Sequence, residues 1–547
     1  MAKIYREMML LCFEKRVCIL YCALVFIVSV LTSRLYNLSK PETNKSIPVL
    51  DGQYTGKIEV CERSGFVYDR NGYLISHDMT GKVALVNPAE CKDAFRCAET
   101  LSRFSLVGKS SFFYEKIMKG VPFTVTLSAT AENEPLPEIS VFDLYAENTS
   151  LLPHFLGYNN SDGRGVSGLR LAYDDFLSGE LHSKVIARFD TNAKRESLSS
   201  FEMDTQKYLS DDGVVTTIDK SLGQFVSTFS EKIPSGAVVV ADTVTGDILA
   251  MSSYPAFDAD KIGELLDSDK GELVNRAVMS FTPGSVFKMI VASAALESDE
   301  ELLNLKYTCN GKIEIGKDTF RCHKHSGHGE IDMVTAFSES CNTYFINLGK
   351  IIGLESIAEM MRRMELNVPS TADFIKESNN FFVDEENDSE GYLANISFGQ
   401  GNLCLSPLDM TKCTICCVSG FLPSLSTISG EIKEGTFFEN KKEKRKRILK
   451  EKTVEDMNHM MEKCVLEGTG VSALAEGVKS GGKTATAQTG RFDEKGVEYV
   501  HKWFCGVYRG EKNALSICVL MDGVNDEKLS PTVIFSEICT FLKEKGF

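Results

Sequence analysis

A serine and a lysine three positions apart are the first residues in this sequence that could do chemistry. Ser285 and Lys288 lie in FTPGSVFKMIVASAALE, where nearly every residue after the serine is apolar. Because Pro283 and Gly284 punctuate the chain, the pattern predicts a buried helix that begins at Ser285. Residues three apart share a helix face, so the Lys288 amine can reach the Ser285 hydroxyl. Burial disfavours the ammonium form, and a neutral Lys288 can take the hydroxyl proton and make Ser285 a nucleophile.

This pair alone is a weak signal, because serines begin many helices and buried lysines often reach solvent. Two later stretches strengthen it. SESCNTYF places the hydroxyl of Ser340 two residues from the amide of Asn342, and GGKTATAQTG is a strand-like run of small residues around Lys483. Such a strand can pair with an extended peptide while Lys483 and Thr484 hold a carboxylate. The order of the three pieces makes a chance match a poor explanation.

A separate stretch, CNGKIEIGKDTFRCHKHSGHGEID, combines two cysteines with three clustered histidines. Thiolates and imidazoles together are ligands that tetrahedral zinc prefers. The best-spaced ligand set is Cys309, Cys322, His325 and His328, with His323 as a substitute. A disulfide between the two cysteines, and no link at all, stay open as alternatives. CTICC further on lies in an apolar helical pattern and favours buried structural cysteines.

Composition limits the class of protein. The 547 residues carry a formal net charge of −16 and are 43% hydrophobic. The hydrophobic content supports large cores, and the acidic balance argues against a nucleic-acid surface. The dense basic run KKEKRKRILKEK from Lys441 predicts a solvated loop or helix face.

The N-terminal region predicts a membrane anchor. VCILYCALVFIVSVLTS carries no charge, and it has the length of a short bilayer helix. Positive residues before it favour an N-terminus inside the cell. We expect a cytoplasmic tail over residues 1–16, an anchor over 17–35 and the rest outside the cytoplasm, on the cell membrane. A cleaved signal peptide is the alternative, although no small-x-small cleavage site follows.

The cysteine content is high for an extracytoplasmic protein. Of 17 cysteines, 14 follow the predicted anchor. In an oxidising exterior, free thiols in this number are unexpected. Some are therefore paired or metal-bound, or the organism lives without oxygen.

The pattern changes near Gly213, which predicts two extracytoplasmic domains. Residues 36–210 are a mixture of short strand-like and polar runs. From 211 to 547, GAVVVADTVTGDILAMSS predicts a hairpin that turns at Thr245–Gly246, helical runs follow, and HKWFCGVYR and ALSICVLMDG predict late strands. A closing helix is predicted from Pro531. Strands at both ends with helices between them predict an α/β (α+β) domain whose sheet collects both ends.

The three pieces resemble the S-x-x-K, S-x-N and K-T-G set of penicillin-recognising serine enzymes. Further stretches resemble class B penicillin-binding proteins in order from the anchor to the C-terminus: RSGFVYDRNG, GVSGLRLAYDDFLSGE, TTID, GDILAMSSYPAFD, NRAVMSFTPGSVFK, SFGQG and HKWFCGVY. The resemblance implies a transpeptidase domain with an antiparallel five-stranded sheet flanked by helices. It also implies a β-rich, non-catalytic pedestal or dimerisation-type domain and one N-terminal transmembrane helix.

The resemblance further implies a monofunctional peptidoglycan D,D-transpeptidase that β-lactams acylate. Ser285 would attack the D-Ala-D-Ala bond of a stem peptide, and Lys288 would be the base. Ser340 would relay a proton to the leaving amine, and Asn342 would orient the donor and Lys288. An amine from a neighbouring stem would then accept the acyl group.

The same resemblance implies the remaining binding groups. Lys483 and Thr484 would hold the terminal carboxylate, and the backbone N–H groups of Ser285 and Thr486 would form the oxyanion hole. The family usually has glycine at the position of Ala485. We expect acylation to survive this change and the preference among β-lactams to shift.

Two alternative functions share the acylation set: a serine β-lactamase and a β-lactam-sensing binding protein. The chemistry requires no cofactor, so zinc would be structural. The resemblance implies as partners the membrane, lipid-linked or nascent glycan and a polytopic glycosyltransferase of the shape, elongation, division and sporulation group. The sequence does not distinguish an elongation, septal or sporulation role.

Overall fold

The structure is a computed structural model that divides the chain into two compact units. It describes residues 28–29, 55–63, 65–105, 108–127, 139–147, 151–180, 183–190, 202–204, 211–376, 383–384, 387, 389–442, 444–526 and 528–547. The first unit comprises Met1–Cys61, Gly81–Asp143 and Lys184–Thr205, and the second comprises Glu62–Thr80, Leu144–Ser183 and Gln206–Phe547. The domain boundary between residues 210 and 211 stays a prediction.

The predicted anchor over residues 17–35 lies outside the described residues, apart from Val28 and Ser29. Within the described ranges, every helix is too short or too polar to cross a bilayer. The anchor therefore also stays a prediction.

The first unit is built from short strands and two described helices. One three-stranded sheet has the order Thr55–Arg63, Ser183–Asp190, Glu202–Asp204, and the other has the order Phe123–Leu127, His77–Val86, Ile139–Glu147. The helices are Ala94–Phe104 and Ser110–Met118. Leu101, Phe113 and Ile117 are buried in one small core, which explains why both helices keep apolar residues on one face.

A five-stranded antiparallel sheet, the central sheet, organises the second unit. Its strand order is Ile248–Tyr254, Gly236–Asp242, Ala514–Val524, Glu498–Arg509 and Lys479–Phe492. The first two strands form the predicted hairpin, and Gly246 takes a φ of +78° at its turn. Both are buried at every position, as expected for near-continuous apolar runs. The prediction that one sheet collects early and late strands is confirmed.

Helices and short strands complete the second unit. The helices are Pro153–Leu156, Gly168–Ala172, Lys220–Ser227, Ile262–Leu265, Lys288–Ser298, Met333–Ser338, Asn342–Arg363, Glu390–Ser397, Pro407–Ser419, Glu451–Leu466 and Pro531–Lys545. A four-stranded sheet has the order Thr436–Glu439, Ile428–Lys433, Gly213–Thr216, Phe66–Tyr68. Two-stranded pairs are Tyr307–Cys309 with Gly329–Ile331, Lys312–Ile315 with Asp318–Arg321, Thr371–Ala372 with Ile375–Lys376, and Phe421–Leu422 with Lys446–Arg447. As predicted, Pro531 begins the closing helix, and CTICC lies in a helix that buries all three cysteines.

The helix with Lys288 begins later than predicted. Gly284–Phe287 forms a 3-10 turn, and the α-helix starts at Lys288 rather than at Ser285. Gly284 has a φ of +56°, which sends the chain into a tight turn before the helix. The predicted burial is confirmed, because every residue from Lys288 to Leu296 is buried.

Candidate active site

The three motif stretches meet at one cavity of about 470 Å³ in the second unit. Its lining includes the predicted residues Ser285, Ser340, Asn342 and Thr484–Thr486. Ser285 is half-buried there, which leaves its side chain at the cavity. Lys288 and Lys483 are fully buried. We call Ser285, Ser340 and Asn342, with the buried Lys288 behind them, the helical wall, and Thr484–Thr486, with the buried Lys483 before them in the strand, the strand wall.

Close backbone packing holds the turn that carries Ser285. The Gly284 N–H donates to the Gly399 carbonyl at 2.9 Å. A Cβ atom at Gly399 would lie 2.0 Å from the Gly284 carbonyl oxygen, so only glycine fits there. Trp503 Nε1 donates to the carbonyl of Thr282 at 3.1 Å. The SFGQG and HKWF stretches thus position the turn that carries Ser285.

Lys288 is the centre of a hydrogen-bond network on the helical wall. Its Nζ donates to the Ser340 carbonyl at 2.8 Å and to Asn342 Oδ1 at 2.8 Å, and it lies 3.3 Å from Ser340 Oγ. The Phe345 ring lies beside it, 5.4 Å away. The Lys288 backbone N–H donates to the Ser285 carbonyl, but among the described residues no hydrogen bond joins the Lys288 amine to the Ser285 side chain. The amine is therefore fixed by the S-x-N residues and not by the serine that the sequence pairs with it.

Burial changes the acid–base behaviour of Lys288. Loss of solvation, followed by the positive charge of Lys483, lowers the pKa of Lys288 well below its usual value. Burial also lowers the pKa of Lys483. A lysine with a depressed pKa can be neutral near physiological pH, and it can then accept a proton from a hydroxyl.

The S-x-N turn joins two helices with a strained residue. Asp332 caps Met333–Ser338 by accepting from the Thr335 N–H, and the next helix begins at Asn342. Between them Ser340 has a φ of +57°, a conformation that residues other than glycine rarely adopt. This kink directs the Ser340 carbonyl to Lys288. Outliers of this kind cluster at functional sites.

The strand wall is an edge strand of the central sheet. Among the described strands, Lys479–Phe492 pairs with Glu498–Arg509 alone, and Ala485 is opposite Trp503. Its free edge can accept an added peptide strand. Lys483 Nζ donates to the Thr484 carbonyl at 3.0 Å, and the Phe337 ring lies 5.7 Å away.

Ala485 directs its methyl group toward the turn that carries Ser285. A Cβ atom placed on Gly284 would lie 3.5 Å from the Ala485 Cβ and 3.1 Å from the Ala487 Cβ. Ala485 is 7% exposed and lines the cavity. The Ala485 methyl therefore faces Gly284, where even an added Cβ atom would lie at ordinary packing distance from it.

Sequence reasoning missed several residues of the cavity. Thr469 Oγ1 lies 2.6 Å from Thr484 Oγ1, and Ser472 and Lys502 also line the site. Thr469 follows the helix Glu451–Leu466 and has no motif around it, so only the fold places it there. Trp503 also lines the cavity, and as the single tryptophan of the sequence it could have been singled out as a candidate site residue.

The predicted zinc ligands are only partly brought together. Cys309, Cys322 and His328 lie in one group, but the fourth member is Cys341, and the prediction of His325 was wrong. His325 is exposed in the loop before His328. The thirteen cysteines whose side chains the structure describes are free thiols, and Cys309 and Cys322 are among them, so no disulfide joins these two.

Comparisons with known proteins agree with this geometry. Residues 236–540 match the family described as penicillin binding protein transpeptidase domain. Stage V sporulation protein D of Bacillus subtilis is 27% identical over 491 residues, which cover 84% of this chain and 74% of that protein. Peptidoglycan D,D-transpeptidase FtsI of Escherichia coli is 24% identical over 372 residues, which cover 65% of this chain and 59% of that protein.

Solved structures share the fold. Penicillin-binding protein 3 of Mycobacterium tuberculosis has a TM-score of 0.63 at 20% identity, covering 90% of this chain and 97% of that one. A complex between penicillin-binding protein PBP2 and MreC from Helicobacter pylori contains a chain with a TM-score of 0.61 at 21% identity, covering 90% and 99%. The family match covers more than half of this chain. The chain therefore belongs to the penicillin-binding protein transpeptidase family and, as the resemblance predicted, is a class B member: a serine D,D-transpeptidase and not a β-lactamase.

Proposed function

We propose that this chain cross-links peptidoglycan stem peptides through an acyl-enzyme on Ser285. One observation carries the proposal: Lys288 is fully buried and hydrogen-bonded to Ser340 and Asn342, beside the cavity that Ser285 lines. This arrangement supplies a nucleophile, a base and a proton relay within one network.

In the first half-reaction, Ser285 Oγ bonds to the carbonyl carbon of the penultimate D-Ala. Lys288 takes the hydroxyl proton as that bond forms. The bond from the carbonyl carbon to the terminal D-Ala nitrogen then breaks as Ser340 passes its hydroxyl proton to the leaving amine and takes the proton that Lys288 received, so Lys288 is neutral again. The 3.3 Å separation of Lys288 Nζ from Ser340 Oγ supports this relay.

In the second half-reaction, an amine of a neighbouring stem attacks the ester carbon. The amine loses a proton to Lys288, the carbon–nitrogen bond of the cross-link forms, and the bond to Ser285 Oγ breaks. Lys288 returns this proton to Ser285 Oγ, so the enzyme returns to its starting state. The N–H groups of Ser285 and Thr486 would stabilise the oxyanion in both steps.

The strand wall binds the donor in this proposal. The free edge of Lys479–Phe492 supports antiparallel pairing with the stem peptide. Lys483 and Thr484 hold the terminal carboxylate, which substrate and β-lactam share. Every step uses protein groups, and zinc takes no part in the reaction.

The proposed location is the cell membrane. Residues 17–35 would form a single-pass anchor with a cytoplasmic N-terminus and the two units outside. A polytopic glycosyltransferase would supply the glycan, and the relative in complex with MreC supports a place in a shape-determining assembly. The relative named stage V sporulation protein D supports a role in sporulation, and the relative named FtsI supports a role in division. Sealed right-side-out vesicles test the topology, because residues 1–16 should be protected from an added protease there.

Turnover tests the reaction itself. The full chain is incubated with a donor ending in D-Ala-D-Ala and an amine acceptor, and released D-Ala and cross-linked product are measured by mass spectrometry. We expect both products in equal amounts, and neither from Ser285→Ala. A stable single acylation without turnover would instead support a β-lactam-sensing protein.

A further inference from the structure

We propose that Cys309, Cys322, Cys341 and His328 bind one zinc ion, and that this ion holds the S-x-N turn in position. The first part concerns a metal site and is independent of the reaction. The second part rests on the proposed function, because it assigns the ion a positioning role at the helical wall.

Two pairs of ligand atoms have the spacing of a tetrahedral zinc site. The four atoms lie within 4.8 Å of one another. The Sγ atoms of Cys322 and Cys341 are 3.9 Å apart, and Cys322 Sγ is 3.6 Å from His328 Nδ1. With zinc–sulfur bonds of about 2.3 Å and zinc–nitrogen bonds of about 2.0 Å, a regular tetrahedron places two sulfurs about 3.8 Å apart and a sulfur and a nitrogen about 3.5 Å apart. Three thiolates and one imidazole are a common structural zinc set.

The cluster differs from a disulfide. The thiols of Cys309, Cys322 and Cys341 are at most 1% exposed and are not joined as disulfides. A sulfur separation of 3.9 Å is almost twice a disulfide bond of about 2.05 Å. His328 Nε2 is buried and has no hydrogen-bond partner among the described atoms, so the imidazole interacts with the thiol of Cys322 through Nδ1.

Short strands and tight turns build the site. Cys309 ends the strand Tyr307–Cys309 and is paired with Gly329, which places His328 beside it. A Cβ atom at Gly327 would lie 2.2 Å from the Cys309 carbonyl oxygen, so glycine permits the turn that brings His328 in. The Cys322 N–H donates to the Gly311 carbonyl at 2.9 Å. The same loop leaves His325 exposed.

Cys341 connects the cluster to the reaction because it is the middle residue of the S-x-N motif. Its neighbours Ser340 and Asn342 supply the two oxygens that bind Lys288 Nζ at 2.8 Å each. Ser340 is held at a φ of +57°. A zinc–thiolate bond at the residue between them fixes the turn from the opposite side. The ligand cysteines and His328 are positioning residues here, not catalytic ones.

Elemental analysis of the full chain, purified in detergent without chelator, tests the site. We expect about one zinc per chain. His328→Ala and Cys322→Ser should lose zinc, whereas His325→Ala and Cys404→Ser should keep it. Cobalt(II) loading of the wild-type chain should give the thiolate charge-transfer bands and intense visible bands of tetrahedral sulfur coordination. This measurement needs no variant, so it stays informative where a substitution prevents folding.

Penicillin acylation of the same samples tests the positioning role. We expect His328→Ala and Cys322→Ser to acylate about tenfold or more slowly, a loss typical of disturbed metal surroundings. Removing zinc from the wild type with a chelator should slow acylation, and adding zinc back should restore it.

Other outcomes overturn the inference. No zinc in the wild type after dialysis against zinc, a Cys322–Cys341 disulfide found by mass, or zinc kept by His328→Ala but lost by His325→Ala would each contradict the site. A zinc-free chain that acylates at the full rate would contradict the positioning role and leave the proposed function intact. A zinc-loaded chain that never acylates would contradict the proposed function and leave the metal site intact.

Discussion

The two walls of the cavity hold their functional groups by different means. On the helical wall, side-chain hydrogen bonds from Lys288 to Ser340 and Asn342 fix the geometry. On the strand wall, the backbone ladder with Glu498–Arg509 fixes Lys483–Thr486. A side-chain network fails when one member is removed, whereas a ladder survives changes of side chain. The reaction therefore depends on which side chains are present at the helical wall, and on where the backbone lies at the strand wall.

Two fully buried lysines show the same contrast. Lys288 Nζ lies near three oxygens of the S-x-N residues. Among the described residues, Lys483 Nζ donates to one carbonyl, that of Thr484 in its own strand. Lys288 is thus held by several protein oxygens, while Lys483 retains donor capacity for a ligand carboxylate.

The largest effect is expected at the helical wall. Lys288→Met should reduce the rate of penicillin acylation by about a thousandfold, because a positioned base contributes about 10²–10⁴ to the rate. The rate is measured by intact mass over time.

A matched control is Lys412→Met, which removes another buried lysine that donates to the Glu365 carbonyl. It should acylate like the wild type if it folds, as judged by circular dichroism and thermal melting. Comparable acylation by Lys288→Met and the wild type would mean that the helical wall does not depend on its lysine.

A smaller effect is expected at the strand wall. Lys483→Gln should weaken acylation by carboxylate-bearing β-lactams about 10- to 100-fold, since a charge-assisted hydrogen bond contributes about 1.5–3 kcal/mol. Lys479→Gln changes an exposed lysine of the same strand and should have no effect. Equal impairment of Lys483→Gln and Lys479→Gln would contradict the role of Lys483 in binding the carboxylate.

The smallest effect is expected at Ala485. Ala485→Gly should change acylation rates about twofold to fivefold, in different directions for different β-lactams, because the methyl packs beside Gly284 and borders the cavity. Glycine in a strand should also lower the free energy of unfolding by about 0.5–1 kcal/mol.

Ala487→Gly has the same stability cost and lies on the same face of the strand, outside the cavity lining, so it isolates the ligand effect. Equal rates for Ala485→Gly and the wild type across several β-lactams would refute the predicted shift in preference.

Local patterns predicted much of this fold. The hairpin at Gly246, the closing helix from Pro531 and the buried helix after Lys288 follow from periodicity and turn residues, and the structure has all three. The helix start was misplaced by three residues, because the sequence does not distinguish a 3-10 turn from a first α-helical turn.

The site was predictable where motifs mark it and not where the fold alone assembles it. Spacing pointed to Cys309 and Cys322, but it did not identify Cys341, which follows a separate helix. His325 and His328 have equal chemistry, and only the turn at Gly327 decides which one enters the cluster. Thr469 reaches Thr484 through packing of distant elements, which leaves no local signal.

The central claim is a covalent acyl-enzyme on Ser285, and intact mass after mixing the full chain with a penicillin tests it most directly. We predict a long-lived adduct of one penicillin per chain that maps to Ser285 and is absent from Ser285→Ala. An adduct that forms equally on Ser285→Ala, or no adduct on the folded wild-type chain, would contradict the account.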